Sequence, residues 1–336
     1  MVSGAVVVAA AAAVVGLTIG PTSIDPLGAL REVMSHLPFS PVHSTLTPTE
    51  AAIVWEIRMP RVVLATLVGA ILALCGGAYQ GVFRNPLADP YLLGVAAGAG
   101  LGATLAIASG RSGGIGALDP VPLAAFVGAL GAVALTYTLG ATGERRRSPA
   151  SLLLAGVAVA GLLTAVQTFV QQRESEVIRE VYSWILGRLT TASWSDVLLL
   201  LPYAVVTSAV LLRHRRVLDV LSVGEEEAAT LGLRVDRVRI VVVLAASLGT
   251  AAAVSVSGLI GFVGIIVPHT IRLLGGTSYR IILPISLLLG GAFLTVADVA
   301  ARTALSPAEV PIGVVTALIG APFFAVVLRT RRLVPT

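Results

Sequence analysis

The stretch Arg61-Val-Val-Leu-Ala-Thr-Leu-Val-Gly-Ala-Ile-Leu-Ala-Leu-Cys-Gly-Gly-Ala-Tyr-Gln-Gly81 carries no charged side chain after its first residue. As an α-helix it would be about 31 Å long, the thickness of a bilayer's hydrocarbon core. Its apolar residues run continuously rather than alternating, which favours a spanning helix over a barrel strand. Comparable runs of 17 or more residues recur at about 4–20, 91–109, 121–140, 150–171, 196–212, 236–257, 259–275, 281–300 and 311–328. The chain is 56% hydrophobic and only 12% charged, where soluble domains are about 45–50% apolar. Its mean hydropathy is +0.93. These observations predict an all-α integral membrane protein of ten transmembrane helices, forming a single transmembrane domain over residues 1–336. The two runs flanking Gly258 are also compatible with one bent segment. The run at 4–20 has no basic leader and no convincing cleavage site, so it reads as a retained span rather than a signal peptide.

Charge sets the expected orientation. All 23 basic residues are arginines. With both termini cytoplasmic, the inner loops hold Arg84, Arg145 to Arg147, Arg272, Arg280, Arg329, Arg331, Arg332 and six arginines between Arg213 and Arg239. That is 15 of the 23, an excess that follows the positive-inside rule. A pI near 10.0 then reports topology and contact with anionic lipid rather than nucleic-acid binding. The Glu144–Arg147 run reads as a topology anchor.

Several chemistries are disfavoured. Without lysine the chain has no phosphate-loop lysine and no Schiff base, so no nucleotide or other cofactor is expected on it. His36, His43, His214 and His269 show no paired ligand spacing, and no metal site is expected. The lone Cys75 excludes an intrachain disulfide and reads as a small packing residue. The glycines from Gly94 to Gly102 lack a preceding strand and the spacing of a dinucleotide loop, and read as helix-packing positions. Asp298, His269 and Arg272 sit near span ends, where capping or interfacial snorkelling accounts for them. The spans lack the midplane charges of ion-coupled transporters. If the chain moves something, the driving energy is expected to enter from outside it.

One cytoplasmic island offers a way in. Within Arg213–Arg239 lies Leu221-Ser-Val-Gly-Glu-Glu-Glu-Ala-Ala-Thr-Leu-Gly-Leu233. Ser222 and Glu225 have capping-box spacing, three glutamates favour a first helical turn, and Gly232 is a natural stop. This predicts a self-contained helix of about nine residues, roughly 14 Å long, suited to a soluble partner. The bland alternative is a solvated acidic run balancing the island's arginines. Two further polar segments stand out. Gln80 to Gly94 holds two prolines with Asn85 and Asp89, which dictate a tight turn at the inner face. On the outer side Arg58-Met-Pro-Arg61 opens the second span and Arg302 closes the ninth. These arginines would either bind lipid headgroups or, exposed, grip carboxylates of a docking protein.

At these residues the chain resembles the FecCD-type ABC importer permeases, which take up iron chelates and cobalamin. The resemblance rests on Arg58–Arg61, Arg84-Asn-Pro-Leu-Ala-Asp-Pro90 with Leu93-Gly94, the Leu221–Leu233 run, Gly258 to His269, and Pro311 to Pro322. It runs in order from about Arg58 to Arg332. It implies a type II importer permease of the inner membrane, without enzymatic activity of its own. A second permease copy would pair with it around a central path. A dimer of ABC ATPase subunits carrying ATP and magnesium would sit below, and a periplasmic or lipid-anchored binding protein would dock above. Carried over by motif, Ser222, Val223, Gly224, Glu225, Glu226, Glu227, Ala228, Leu231 and Gly232 would form the ATPase-coupling helix. Arg58, Arg61 and Arg302 would meet the binding protein. Asn85 and Leu87 would narrow the cytoplasmic end of the path, and Ser148 to Ser151 would occupy another gate region. The alternatives are a permease for free metal ions and an ion-coupled secondary transporter. Both would call for polar or charged groups along the path.

Overall fold

The computed structural model describes residues 1–38, 40–110, 119–140, 149–187 and 189–331. Among these residues the regular elements are helices, apart from one isolated bridge between Leu305 and Ala308. Six helical stretches are long and apolar enough to cross a bilayer. The first joins α3 (Pro48–Ala52), a π-turn (Ile53–Arg58) and α4 (Met59–Val82) into one rod. The others are α6 (Pro120–Gly140), α7 (Pro149–Arg173), α9 (Trp194–Val223), α11 (Val235–Ser257) and α13 (Tyr279–Thr303). Four shorter apolar helices follow the remaining predicted runs: α1 (Val2–Thr18), α5 (Val95–Ala108), α12 (Val263–Gly275) and α14 (Ile312–Arg331). Small elements complete the order: α2 (Pro26–Ser35), α8 (Ile178–Ile185) and α10 (Glu225–Thr230).

The predicted boundaries shift where the backbone chemistry is local. The third run starts as helix only at Val95, because the turn that begins at Pro90 extends to Gly94, which takes a left-handed φ of 82°. The sixth extends from an expected end at residue 212 to Val223, because no breaker precedes Gly224 and Leu218 and Leu221 stay buried. The runs flanking Gly258 are two helices rather than one bent segment. Gly258 and Phe262, with φ of 70° each, break them apart, leaving α12 with 13 residues, about 20 Å of helix.

Burial ranks the helices. In the apolar window of the Pro48–Val82 rod 83% of residues are buried, against 17% in α7. The rod is the centre, and α11, α12, α13 and α9 pack around it. Polar pins fix these contacts: the Tyr79 hydroxyl lies 2.6 Å from Ser247 on α11, and Thr66 lies 3.0 Å from Thr295 on α13. Small residues set the closest crossings, as read for Gly94–Gly102. A Cβ on Gly98 would stand 2.2 Å from the Gly128 carbonyl oxygen, and one on Gly76 only 1.9 Å from that of Gly264. Cys75 is fully buried beside this crossing.

Gly76→Ala should therefore wedge α4 from α12 and destabilise the fold by about 1–3 kcal/mol or more. Gly131→Ala, on an exposed face of α6 with nothing within 4 Å of the added carbon, should be neutral or slightly stabilising, by up to about 1 kcal/mol. Thermal unfolding of the two variants in detergent, compared with the parent, measures the difference.

Candidate functional site

The predicted partner helix exists, with its start corrected. Ser222 is not its cap: it belongs to the last turn of α9 and donates its hydroxyl to the Asp219 carbonyl at 2.6 Å. α10 begins after Gly224 and spans six residues, without a side-chain cap. Its end matches the sequence reading. Gly232 is left-handed at φ 81°, its N–H bonds the Ala229 carbonyl at 2.9 Å, and the Leu233 N–H bonds the Ala228 carbonyl at 3.1 Å. That is a Schellman closure, which satisfies the last carbonyls of the helix.

The helix has a held face and an offered face. Gly224 and Ala228 are buried against the bundle, and Glu225 forms an ion pair with the buried Arg239 of α11. Asp236 reaches the same guanidinium at 3.5 Å. On the other side Val223 and Leu231 are 73% and 72% exposed, beside exposed Ser222, Glu226, Glu227 and Gly232. Two large apolar side chains, one ending α9 and one at the C-cap of α10, stand out on either side of the braced helix and form a small hydrophobic seat rimmed by acid. The acidic run thus divides: Glu225 braces the helix, while Glu226 and Glu227 face outward.

The turn after α4 is built from its own polar side chains. Arg84 adopts a left-handed φ of 48°, and the Asn85 N–H reaches back to the Gln80 carbonyl at 3.2 Å. The Asn85 side chain accepts the Leu87 N–H at 2.9 Å, and Asp89 accepts the Tyr91 N–H at 2.7 Å. These are two consecutive Asx turns. Leu87 is 46% exposed at the tip. Tyr91 then performs a task that sequence reasoning missed. Its hydroxyl donates to the Ile260 carbonyl at 2.9 Å and accepts the Ile260 N–H at 3.1 Å. One phenol thereby satisfies both backbone polar groups of a residue in the break between α11 and α12.

Arg58, Arg61 and Arg302 are buried, which corrects the expectation of exposed guanidiniums. Arg58 donates to the carbonyls of Leu17 at 2.9 Å, Thr18 at 3.0 Å and Thr22. Arg302 donates to the Gly16 carbonyl. Arg61 forms two forks, one on Asp298 at 2.8–3.0 Å and one on Glu309 at 2.9–3.0 Å. Asp298 also lies 3.7 Å from Arg302, so it is the centre of an ion cluster rather than a cap or a snorkelling group. The physical reason is the apolar setting: the carbonyls ending α1 and a buried carboxylate both require cationic or N–H partners. Arg61, Asp298 and Glu309 line a cleft of about 140 Å³ with Ser183 and Thr190. Glu309 escaped sequence reasoning because it follows α13 in a loop with no motif of its own.

The remaining predicted positions sort simply. Residues 141–148, with the Glu144–Arg147 anchor and Ser148, lie outside the described residues, as does Arg332. Ser151 sits in the first turns of α7 and donates to the Gly140 carbonyl at 3.3 Å. His269 is buried on α12, with its ring edge-on to Phe323. Arg272 does not snorkel: it donates to Gln80 and to the Tyr279 hydroxyl.

Among the described residues, six apolar helices of bilayer length, one of them the buried rod and three others packed around it, mark a multi-pass helical membrane protein. The chain belongs to the FecCD transport family, whose model matches residues 7–330. It is 47% identical over 294 residues to the cobalamin import system permease protein BtuC of Halobacterium salinarum, covering 88% of this chain and 78% of that one. The hemin transport system permease protein HmuU of Yersinia pestis is 38% identical over 316 residues, covering 91% and 92%. A solved structure described as an inward-facing metal-chelate type ABC transporter superposes with a TM-score of 0.84 at 31% identity, covering 98% of both chains. The family is one of transport permease subunits, and this chain is a multi-pass membrane protein of that kind.

Burial pushes the Asp89 carboxyl up to about 6, only partly opposed by the Tyr91 N–H it accepts. Because the folded value lies above that of the unfolded chain, the folded turn prefers the protonated acid. Its contribution is full below about pH 4 and is lost as pH rises through about 6. The melting temperature of the detergent-solubilised protein should show that loss, and Asp89→Asn, which keeps the acceptor, should flatten the profile between those values.

Proposed function

We propose that this chain is the permease subunit of an ATP-binding-cassette importer that carries a metal chelate into the cytoplasm. In this reading it crosses the inner membrane ten times as one permease domain, with both termini inside, and pairs with a second copy. ATP and magnesium reside in the partner ATPase, and substrate affinity resides in a separate binding protein. The observation that carries the reading is α10, a helix braced by the Glu225–Arg239 pair with Val223 and Leu231 held outward. Apart from Ala228, the helix lies outside this chain's own core. It is shaped to sit in a groove of a soluble partner and to move with it. ATP-driven closure of the ATPase dimer then shifts the bundle between outward- and inward-open states.

The outer cleft would receive the binding protein. Arg58 and Arg302 shape its rim by holding the end of α1, and a partner carboxylate takes the place of Glu309 on Arg61. Asn85 and Leu87 would form the inner gate at the turn that Tyr91 ties to the α11–α12 break. Among the chelates imported by the relatives, cobalamin is the first to test, since the 47% identical relative is a cobalamin permease. The mostly apolar spans suit a large rigid cargo, which needs no charged ligand along the path.

The paired substitution Val223→Glu with Leu231→Glu should leave membrane insertion and melting unchanged. It should weaken capture of the ATPase by about a hundredfold, from loss of two apolar anchors at roughly 1–2 kcal/mol each. Co-purification of permease with ATPase from membranes, followed by ATP-dependent cyanocobalamin uptake into vesicles, reads both. Undiminished co-purification would remove α10 from the ATPase interface.

A further inference from the structure

Between α10 and the turn at Asn85 lies a continuous chain of polar contacts. It starts at Asp219, six positions before α10 begins and within the last turns of α9. One Asp219 oxygen accepts the Ser278 hydroxyl at 2.9 Å, and the other accepts the Tyr279 N–H. Ser278 makes no side-chain cap of its own for α13. The N-terminus of α13 is therefore capped by a carboxylate from α9, a charge placed where the helix dipole favours it. The Tyr279 ring sits within 3.1 Å of the position of a Cβ on Gly81, and Leu218 closes the same spot at 3.2 Å.

The chain continues from the phenol. Arg272 on α12 donates to the Tyr279 hydroxyl at 3.2 Å, with its guanidinium carbon 5.5 Å from the ring centroid. Its other terminal nitrogen donates to the Gln80 side-chain oxygen. Gln80, 1% exposed, passes its amide hydrogens to the carbonyls of Ala88 at 3.4 Å and Gly264 at 3.3 Å. Ala88 lies in the turn between Asn85 and Tyr91. Four side chains thus join the end of α9, the start of α13, α12 and the last turn of α4 to the turn that carries Asn85 and Leu87. Gln80 and Tyr279 are buried and Asp219, Ser278 and Arg272 are half-buried, so leaving a hydrogen bond of the chain unmade is unfavourable. A shift at one end is therefore costly unless the next group follows.

We propose that Asp219, Tyr279, Arg272 and Gln80 form a relay that conveys displacement of α10 to the turn at residues 84–94. Asp219 and Arg272 are its positioning residues. The proposal rests on the reading of α10 as the ATPase seat. Asp219 couples the segment bearing α10 to α13, and Arg272 couples α13 to the gate turn through Gln80. Neither residue touches substrate or nucleotide.

The test uses the permease–ATPase complex in nanodiscs, with Leu87→Cys as reporter, since the native Cys75 is fully buried. Thiol labelling is timed without nucleotide and with ATP plus vanadate. In the parent complex the rate should change about fivefold or more between the two states. Asp219→Ala and Arg272→Met should still bind the ATPase and hydrolyse ATP within about twofold of the parent, yet show one labelling rate in both states. Asp219→Asn, which keeps a carbonyl acceptor for the Tyr279 N–H, should restore most of the response. Nucleotide-dependent labelling of parental size in both variants would overturn the relay. So would a parent complex whose labelling ignores nucleotide, or variants whose only defect is a lowered melting temperature with the response intact. Absence of any ATPase in the parent complex is a different result: it would defeat the importer reading itself.

Discussion

In the hydrocarbon core of a bilayer no water is available to hydrogen-bond a backbone N–H or carbonyl, so every helix end and every break at depth must be satisfied from within the protein. Much of this structure follows from that constraint. The carbonyls closing α1 are taken by Arg58 and Arg302. The first N–H of α13 is taken by Asp219. The N–H and carbonyl of Ile260, in the gap between α11 and α12, are taken by Tyr91. In each case the partner comes from a different element. What satisfies the backbone therefore also ties one helix to another, and the polar groups that keep the bundle intact are the ones able to carry motion through it.

The same constraint explains the division of charge. A buried ion is tolerated when its partners are close and its geometry is good. Arg61 meets this with two forks, and Asp298 answers two arginines at once. The cluster is placed at the start of α4 and the end of α13, where a cleft admits it to the surface. At the other face Arg239 is held by Glu225 and Asp236. Between them lies the bundle, with crossings set by glycine backbones and apolar side chains. The molecule thus concentrates its electrostatics at two faces where partners would meet it.

Much of this was legible in the sequence. The apolar runs anticipated the order of the apolar helices, six of bilayer length and four shorter among the described residues, because continuous hydrophobicity over a bilayer's length is a strong signal. Gly232 announced the end of α10, since a left-handed residue closing a helix is a local requirement. The glycines from Gly94 to Gly102 announced close packing. The failures were tertiary. Ser222 carried capping-box spacing, but α9 runs through it and its hydroxyl bonds backward to Asp219. Arg58, Arg61 and Arg302 read as exposed, and nothing local records that they are buried or that α1 ends beside two of them. Tyr91, Glu309 and Asp219 left no signature because their partners lie 169, 248 and 60 positions away.

The central claim is that α10 is the place where a driving subunit takes hold, and its directness can be measured by protection. Ala229, exposed on that helix, can be replaced by cysteine and its alkylation rate followed in the permease alone and in the isolated permease–ATPase complex. The account predicts free reaction in the permease alone and slowing by about tenfold or more in the complex, the equivalent of about 1.4 kcal/mol of occlusion. Equal rates in a complex shown to contain the ATPase would contradict it.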